Sequence, residues 1–233
     1  SNDAVTKHII GLTYSQSFFD GKIQNVFFAK DYVNHPNIRQ TDQSTVTGSD
    51  KVQGSTTKNY FGYGTGLRYM FFDPLAVKVS YEHSIRLPIA RELLGNGTTI
   101  YANVALKPEK SNNVNLALFG TWHPASRHTI YYEANGFLRY VDNYIQTSVI
   151  EKEGMMQFVN DPAVHIKGVE GEIRYDWDGR LQLMANVSYQ DARDQQKYKE
   201  DGKPSATYDN HVPNRPWLFG SAEASYTFHN LLL

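Results

Sequence analysis

Cysteine is absent from the 233 residues, so neither disulfides nor thiolate metal ligands can hold this chain together. That absence also suits passage through an oxidising periplasm. Long apolar runs are missing as well. The longest, Val26-Phe27-Phe28-Ala29 and Tyr69-Met70-Phe71-Phe72, fall far short of the roughly 18 residues that a membrane-crossing helix needs. Strand spans stay open, because strands that alternate lipid-facing with water-facing residues average to a hydrophilic value such as the mean hydropathy of −0.52 found here. The third absence is an excess of charge. With Lys+Arg at 23 and Asp+Glu at 24, the net charge of −1 supplies no basic field, which argues against nucleic acid as a partner. No signal peptide leads the sequence, and Ser1-Asn2 resembles the remnant of a cleaved tag, so the chain reads as a piece of a longer protein.

What is present in quantity is strand chemistry: Tyr 16 and Phe 12, with Gly 17 to supply turns. The pattern is most regular at 168–177, where Val169, Gly171, Ile173, Tyr175 and Trp177 alternate with Gly168, Glu170, Glu172, Arg174 and Asp176. Charges on one face and large aromatics on the other fit a barrel with a wet interior and an apolar exterior. Similar patterns predict strands over 8–18, 22–35, 60–72, 76–87, 113–122, 128–146, 181–190 and 215–228. Tight turns at Asp20-Gly21, Asp73-Pro74, 124–127 and Asp178-Gly179 alternate with long polar segments at 37–57, 88–112, 147–164 and 192–213. A soluble sandwich has no reason to alternate its connections in this way, whereas an outer-membrane barrel places turns on one rim and loops on the other. The expected fold is all-β, an antiparallel up-and-down meander of about nine strands forming a segment of a transmembrane β-barrel. Its terminal strands, near His8 and Phe228, are expected to be unpaired edges, with the sheet curled on itself or packed against another copy.

Competing local readings are weaker. Gly62-Tyr63-Gly64-Thr65-Gly66 has the look of a dinucleotide loop, but a strand follows where a helix should begin, and small residues on a crowded lumen face explain the glycines better. His123 and His128 flank a turn without a nearby carboxylate and read as turn residues rather than metal ligands, so neither a metal nor a cofactor is expected. Asn96-Gly97-Thr98 and Asn186-Val187-Ser188 match the glycosylation pattern by chance, the second lying within a strand. Glu170, Glu172 and Arg174 could serve a hydrolase, yet a charged lumen wall must balance and hydrate its own charges in any case. Trp122, Tyr132, Tyr175, Trp177 and Tyr226, near strand ends, read as interfacial anchors.

Three stretches carry a family resemblance. Ile85-Arg86-Leu87-Pro88, Arg91-Glu92-Leu93 and Leu106-Lys107-Pro108-Glu109-Lys110-Ser111 form the first, and Phe137-Leu138-Arg139-Tyr140 through Asp142-Asn143-Tyr144-Ile145 the second. The third runs from Lys167-Gly168-Val169-Glu170-Gly171-Glu172 to Tyr189-Gln190-Asp191-Ala192-Arg193, with Val212-Pro213-Asn214-Arg215-Pro216 after it. In this order and spacing they resemble the TonB-dependent outer-membrane receptors, in the later half of that family's barrel.

The resemblance implies that residues 1–233 are a partial barrel domain of the 22-stranded class, lacking the plug domain and the final strands. It implies a parent in the outer membrane of a Gram-negative bacterium, an active transporter and not an enzyme. Such a receptor binds a scarce nutrient at its extracellular loops, whether siderophore, cobalamin, glycan or peptide, and imports it with energy relayed by TonB. A barrel hydrolase or a passive porin is the alternative. Partners would be the ligand, the plug domain of the same chain, TonB and outer-membrane lipid. Plug- or lumen-facing candidates are Asn115, Glu133, Glu170, Glu172 and Arg174, with Asn115 standing where the family commonly has Glu. Ligand-binding loop candidates are Arg91, Tyr101, Arg193 and Trp217, each pairing charge or a flat ring with the extracellular end of a strand.

Overall fold

Period-two alternation becomes a single ladder of paired strands. A computed structural model describes residues 4–37, 57–96, 98–150, 154–199, 201–228 and 231–232. The long strands are β1 (Ala4–Phe18), β2 (Ile23–Asn37), β3 (Lys58–Phe72) and β4 (Leu75–Arg86), then β6 (Glu109–Ala125), β7 (His128–Ile150), β8 (Met155–Trp177), β9 (Leu181–Asp194) and β10 (Leu218–Phe228). Between β4 and β6 come a short helix, α1 (Ala90–Leu94), and a two-residue strand, β5 (Ile100–Tyr101); β11 (Leu231–Leu232) ends the chain. The sheet order is β1-β2-β3-β4-β6-β7-β8-β9-β10-β11, so each long strand pairs with its long neighbour in sequence, antiparallel throughout. The expected meander and its long strands are present.

Several boundaries differ from the sequence reading. Segment 147–164 is not a loop: β7 and β8 each run 23 residues and stay in register from His128↔Trp177 to Ile150↔Met155. Beyond Asp142 on β7 and Val164 on β8 the pairing with β6 and β9 has ended, which leaves a two-stranded arm flanked by β5 in parallel at Ile100↔Met156. Alternation fails to mark the arm because one side of it packs under residues 88–108 with a mixture of apolar and polar side chains, Ile145 and Phe158 beside the buried Gln157 and Asp161, while the ladder below extends it one hydrogen bond at a time. For the same reason β6 starts at Glu109 within the expected 88–112 connection, and β9 continues to Asp194. Conversely, β10 begins at Leu218, after Pro213 and Pro216, which cannot donate to a ladder. Phe228 is not an unpaired residue; it pairs with Leu231 in a terminal hairpin. No pairing joins β1 to β10 among the described residues, so β1 keeps an open edge. The expected long loop at 37–57 lies almost wholly outside the described residues.

The three clusters of buried apolar residues lie at the end of the sheet that carries the long connections. Phe137, Val141, Val164, Ile166 and Ala192 gather there under Val212. Leu93, Leu106 and Ile145 form a second cluster with Val5, Val104 and Phe158, and Tyr32, Ile85 and Leu87 a third. In a flat sheet Val5 on β1 and Ile145 on β7 would stand about 24 Å apart, at roughly 4.8 Å per strand. Their meeting in one cluster shows that the sheet is curled, and segment 88–108 spans the opening.

Toward the short turns the arrangement is inverted. Leu12, Leu116, Val169, Ile173, Val187 and Leu218 are more than half exposed, on a continuous apolar face. Trp122, Trp177 and Tyr226 border it at the turn end and Tyr63, Tyr140 and Tyr189 toward the loop end. On β8 these levels lie about ten residues apart, which matches the 9–11 residues that a tilted strand needs to cross a bilayer. His128, instead of a bare turn residue, belongs to the lower girdle: its Nδ1 lies 2.7 Å from the Tyr175 hydroxyl and its ring is stacked over Trp177.

Candidate functional site

The face opposite that apolar band is polar, and register decides which side chains meet on it. Directly opposed residues share a face, so one row runs Gln24, Arg68, Lys78, Ala117, Asn135, Glu170, Ser188 across seven strands. A neighbouring row runs Phe119, Glu133, Glu172, Asn186, Ser221. Asn115, Glu133, Glu170, Glu172 and Arg174 therefore lie on one face, opposite Ile173, Tyr175 and Trp177.

Their contacts are local. Glu133 accepts a hydrogen bond from the Tyr131 hydroxyl and Glu172 one from Arg174. Ser188 donates to Glu170 at 3.4 Å, and Asn115 donates to Ser80 at 3.3 Å, a neutral contact. Glycines on this face make room for rings: a Cβ on Gly64 would stand 2.4 Å from the Phe28 ring, and one on Gly168 the same distance from Phe137. The Gly62 to Gly66 run thus packs a wall, with β3 continuing through it as a strand.

Above this wall stands a node that the sequence showed only as scattered motif letters. Arg86 donates from Nη1 to both oxygens of Glu92, at 3.0 and 3.2 Å, and from Nη2 to Glu109 at 2.8 Å. The same carboxylates accept backbone N–H groups, Ile89 on Glu92 and Ile145 on Glu109. The bond to Glu109 is the main reason the Arg86 guanidinium is held above its usual range. Segment 88–108 is further tied to β8 by Gln157 to the Ala102 carbonyl and Asn103 to the Phe158 carbonyl, and to β1 by Lys7 on the Pro88 carbonyl. Burial lowers the Lys7 pKa there.

The four loop candidates fall into two groups. Arg91 is exposed on α1 and Tyr101 sits on β5 beside Gln157, both within the tied segment. Arg193 and Trp217 flank the connection between β9 and β10. Arg193 is already committed: its Nε lies 3.0 Å from Asp191 and its Nη1 3.5 Å from Asp209, and Asp191 holds its pKa up. Trp217 is 64% exposed, edge-on to Tyr189. Beside this connection, burial and then Asp194 push the Asp161 pKa up to about 6. Asn96, in the glycosylation-like triplet, instead accepts the N–H groups of Thr98, Thr99 and Ile100 on its side-chain oxygen. Among the described residues, no three His, Asp or Glu gather in a way that could hold a metal ion.

An apolar band outside, a polar row inside, tight turns at one rim and long connections at the other define a wall of a transmembrane β-barrel. The family model "TonB dependent receptor-like, beta-barrel" matches residues 12–231, and the chain belongs to that family. Solved structures agree in fold. The copper transporter OprC is similar at 16% identity and a TM-score of 0.64, with 95% of this chain and 32% of that one covered. The FrpB iron transporter from Neisseria meningitidis gives 14% and 0.62, covering 99% and 32%. The Serratia marcescens hemophore receptor HasR, a double mutant in complex with its hemophore HasA and heme, gives 16% and 0.63, covering 97% and 42%. The chain thus spans about a third to two-fifths of the length of these structures. No curated protein matches the sequence.

Proposed function

We propose that the full-length protein is an outer-membrane receptor of a Gram-negative bacterium that takes up a scarce nutrient with TonB-coupled energy, and that residues 1–233 supply part of its barrel. The observation that carries this is the division of one curled sheet into an apolar outer band and a charged inner wall, in a chain whose family model covers residues 12–231. The similar proteins include transporters of copper and of iron and a hemophore receptor in complex with its hemophore and heme, which supports a metal complex as the cargo class. Siderophore, cobalamin, glycan and peptide complete the panel to be tried. Arg91 and Trp217 are exposed groups placed to greet it, with Tyr101 on the β5 segment as a third candidate, while Arg193 holds the β9–β10 connection in place. Glu170 and Glu172 face a plug domain in the lumen and take its arginines in charge-assisted bonds.

The test is uptake by cells that express the full-length protein, with and without a functional TonB. Accumulation of one ligand class that stops when TonB is removed supports the proposal. Equal uptake in both strains makes the protein a porin, and release of a hydrolysed product makes it an enzyme.

A further inference from the structure

The inner wall carries a second pair of like charges that the reading above does not use. Glu133 stands directly opposite Glu172, and on the other flank Arg68 stands directly opposite Lys78. Like charges at directly opposed positions destabilise a sheet unless something of the other sign meets them. On the acidic flank, among the described residues, the one ion pair is Arg174 with Glu172, while Glu133 and Glu170 meet hydroxyl and amide donors. On the basic flank Arg68 donates to the neutral Gln24 at 3.2 Å and lies over the Phe119 ring, while Lys78 is exposed. Among the described residues no ion pair engages either cation. By contrast Lys30, three rows higher, is paired with Glu82 at 3.4 Å, so a cation on this wall takes a carboxylate where one is within reach.

The two flanks cannot satisfy each other. β4 and β7 are two strand steps apart and β3 and β8 four, or about 10 and 19 Å at roughly 4.8 Å per step. Ala117 and Phe119 lie between them and carry no charge. An ion pair needs contact within about 4 Å, and at about 10 Å physiological salt already screens most of the attraction.

We infer that Arg68 and Lys78 form an anion station for the domain seated in the lumen, receiving one or more of its Asp or Glu side chains while the acidic flank receives its cations. This rests on the proposal that a plug domain occupies the barrel. Such an occupant meets the wall in one orientation only, because turning it about the barrel axis would set carboxylate against carboxylate and cation against cation.

Ion conductance of the purified full-length receptor in planar bilayers, in potassium chloride, tests this. The charge-reversed R68E/K78E variant should conduct on the order of tenfold more than wild type, since losing a charge-assisted contact shifts the seated population by about that factor. The charge-preserving R68K/K78R variant should stay as silent as wild type. Heat-modifiable migration on gels verifies that each barrel is folded. If R68E/K78E is silent while E170Q/E172Q conducts, the anion station is overturned and the lumen domain stands. If R68K/K78R conducts as much as R68E/K78E, packing and not charge is at work, which also overturns it. A wild-type receptor that is itself an open pore has no lumen domain and removes both readings.

Discussion

The two ends of this sheet are built on opposite rules. At the turn end the apolar residues point outward, with Leu12 at 75% and Val169 at 60% exposure, and the inner row is polar. At the loop end the order is that of a soluble protein, with Val164 wholly buried and Phe137 at 4%, covered by Val212 from the β9–β10 connection. One strand pair, β7 with β8, runs through both regimes in continuous register. The difference teaches that burial in this chain is set by the solvent at each level: lipid reverses the usual pattern in the band, and water restores it above.

The largest expected effect comes from the soluble-like end. Phe137→Ala removes the ring that fills the cluster above Gly168 and should cost about 3–5 kcal/mol locally. Hydrogen exchange should then accelerate in residues 195–217 and in the arm, with the band unchanged. Equal loss of protection in both ends would show that they are a single cooperative unit.

Next is a charge on the outer face. Leu116→Lys should destabilise the barrel in lipid by about 2–4 kcal/mol, whereas Asn115→Lys, one residue along and facing inward, should cost about 1 kcal/mol or less. Refolding titrations into bilayers compare the pair directly. Similar costs would mean that the two faces do not meet different solvents.

Arg86→Ala should cost about 1–3 kcal/mol, because it strands the buried Glu92 and the nearly buried Glu109 without their cation, while the side chain's own partial exposure limits the loss. Segment 88–108 should become open to limited proteolysis while the strands remain protected. Resistance equal to wild type would assign the anchoring to the Leu93 cluster alone.

The smallest effect is a pH dependence. The folded pKa of Asp161, about 6, lies above its unfolded value of about 3.9. Its contribution is therefore fully present below about pH 4 and is lost as pH rises through about 6. Exchange protection of the arm at 155–161 should be higher at pH 5 than at pH 7, and Asp161→Asn should flatten the difference. A wild-type arm whose protection is the same at both values, once intrinsic exchange is corrected, would count against burial as the cause.

The sequence by itself determined the band. Alternation such as Glu170, Glu172, Arg174 against Ile173, Tyr175, Trp177 is legible wherever one face meets lipid or packing and the other meets water, because side-chain direction has period two. It also determined the tight turns and the antiparallel meander, although the connection expected at 147–164 is an extension of β7 and β8. Only the tertiary structure decided the rest. The arm at 144–150 and 155–161 buries apolar and polar residues alike under residues 88–108, so no alternation announces it, and its length comes from the ladder beneath it. Arg86, Glu92 and Glu109 appear in the sequence as separate motif letters, and only the folding back of residues 88–108 closes them into one node. Arg68 and Lys78 are each unremarkable on a polar face. They become a pair through register, a hydrogen-bond property of two strands that neither strand's sequence states alone.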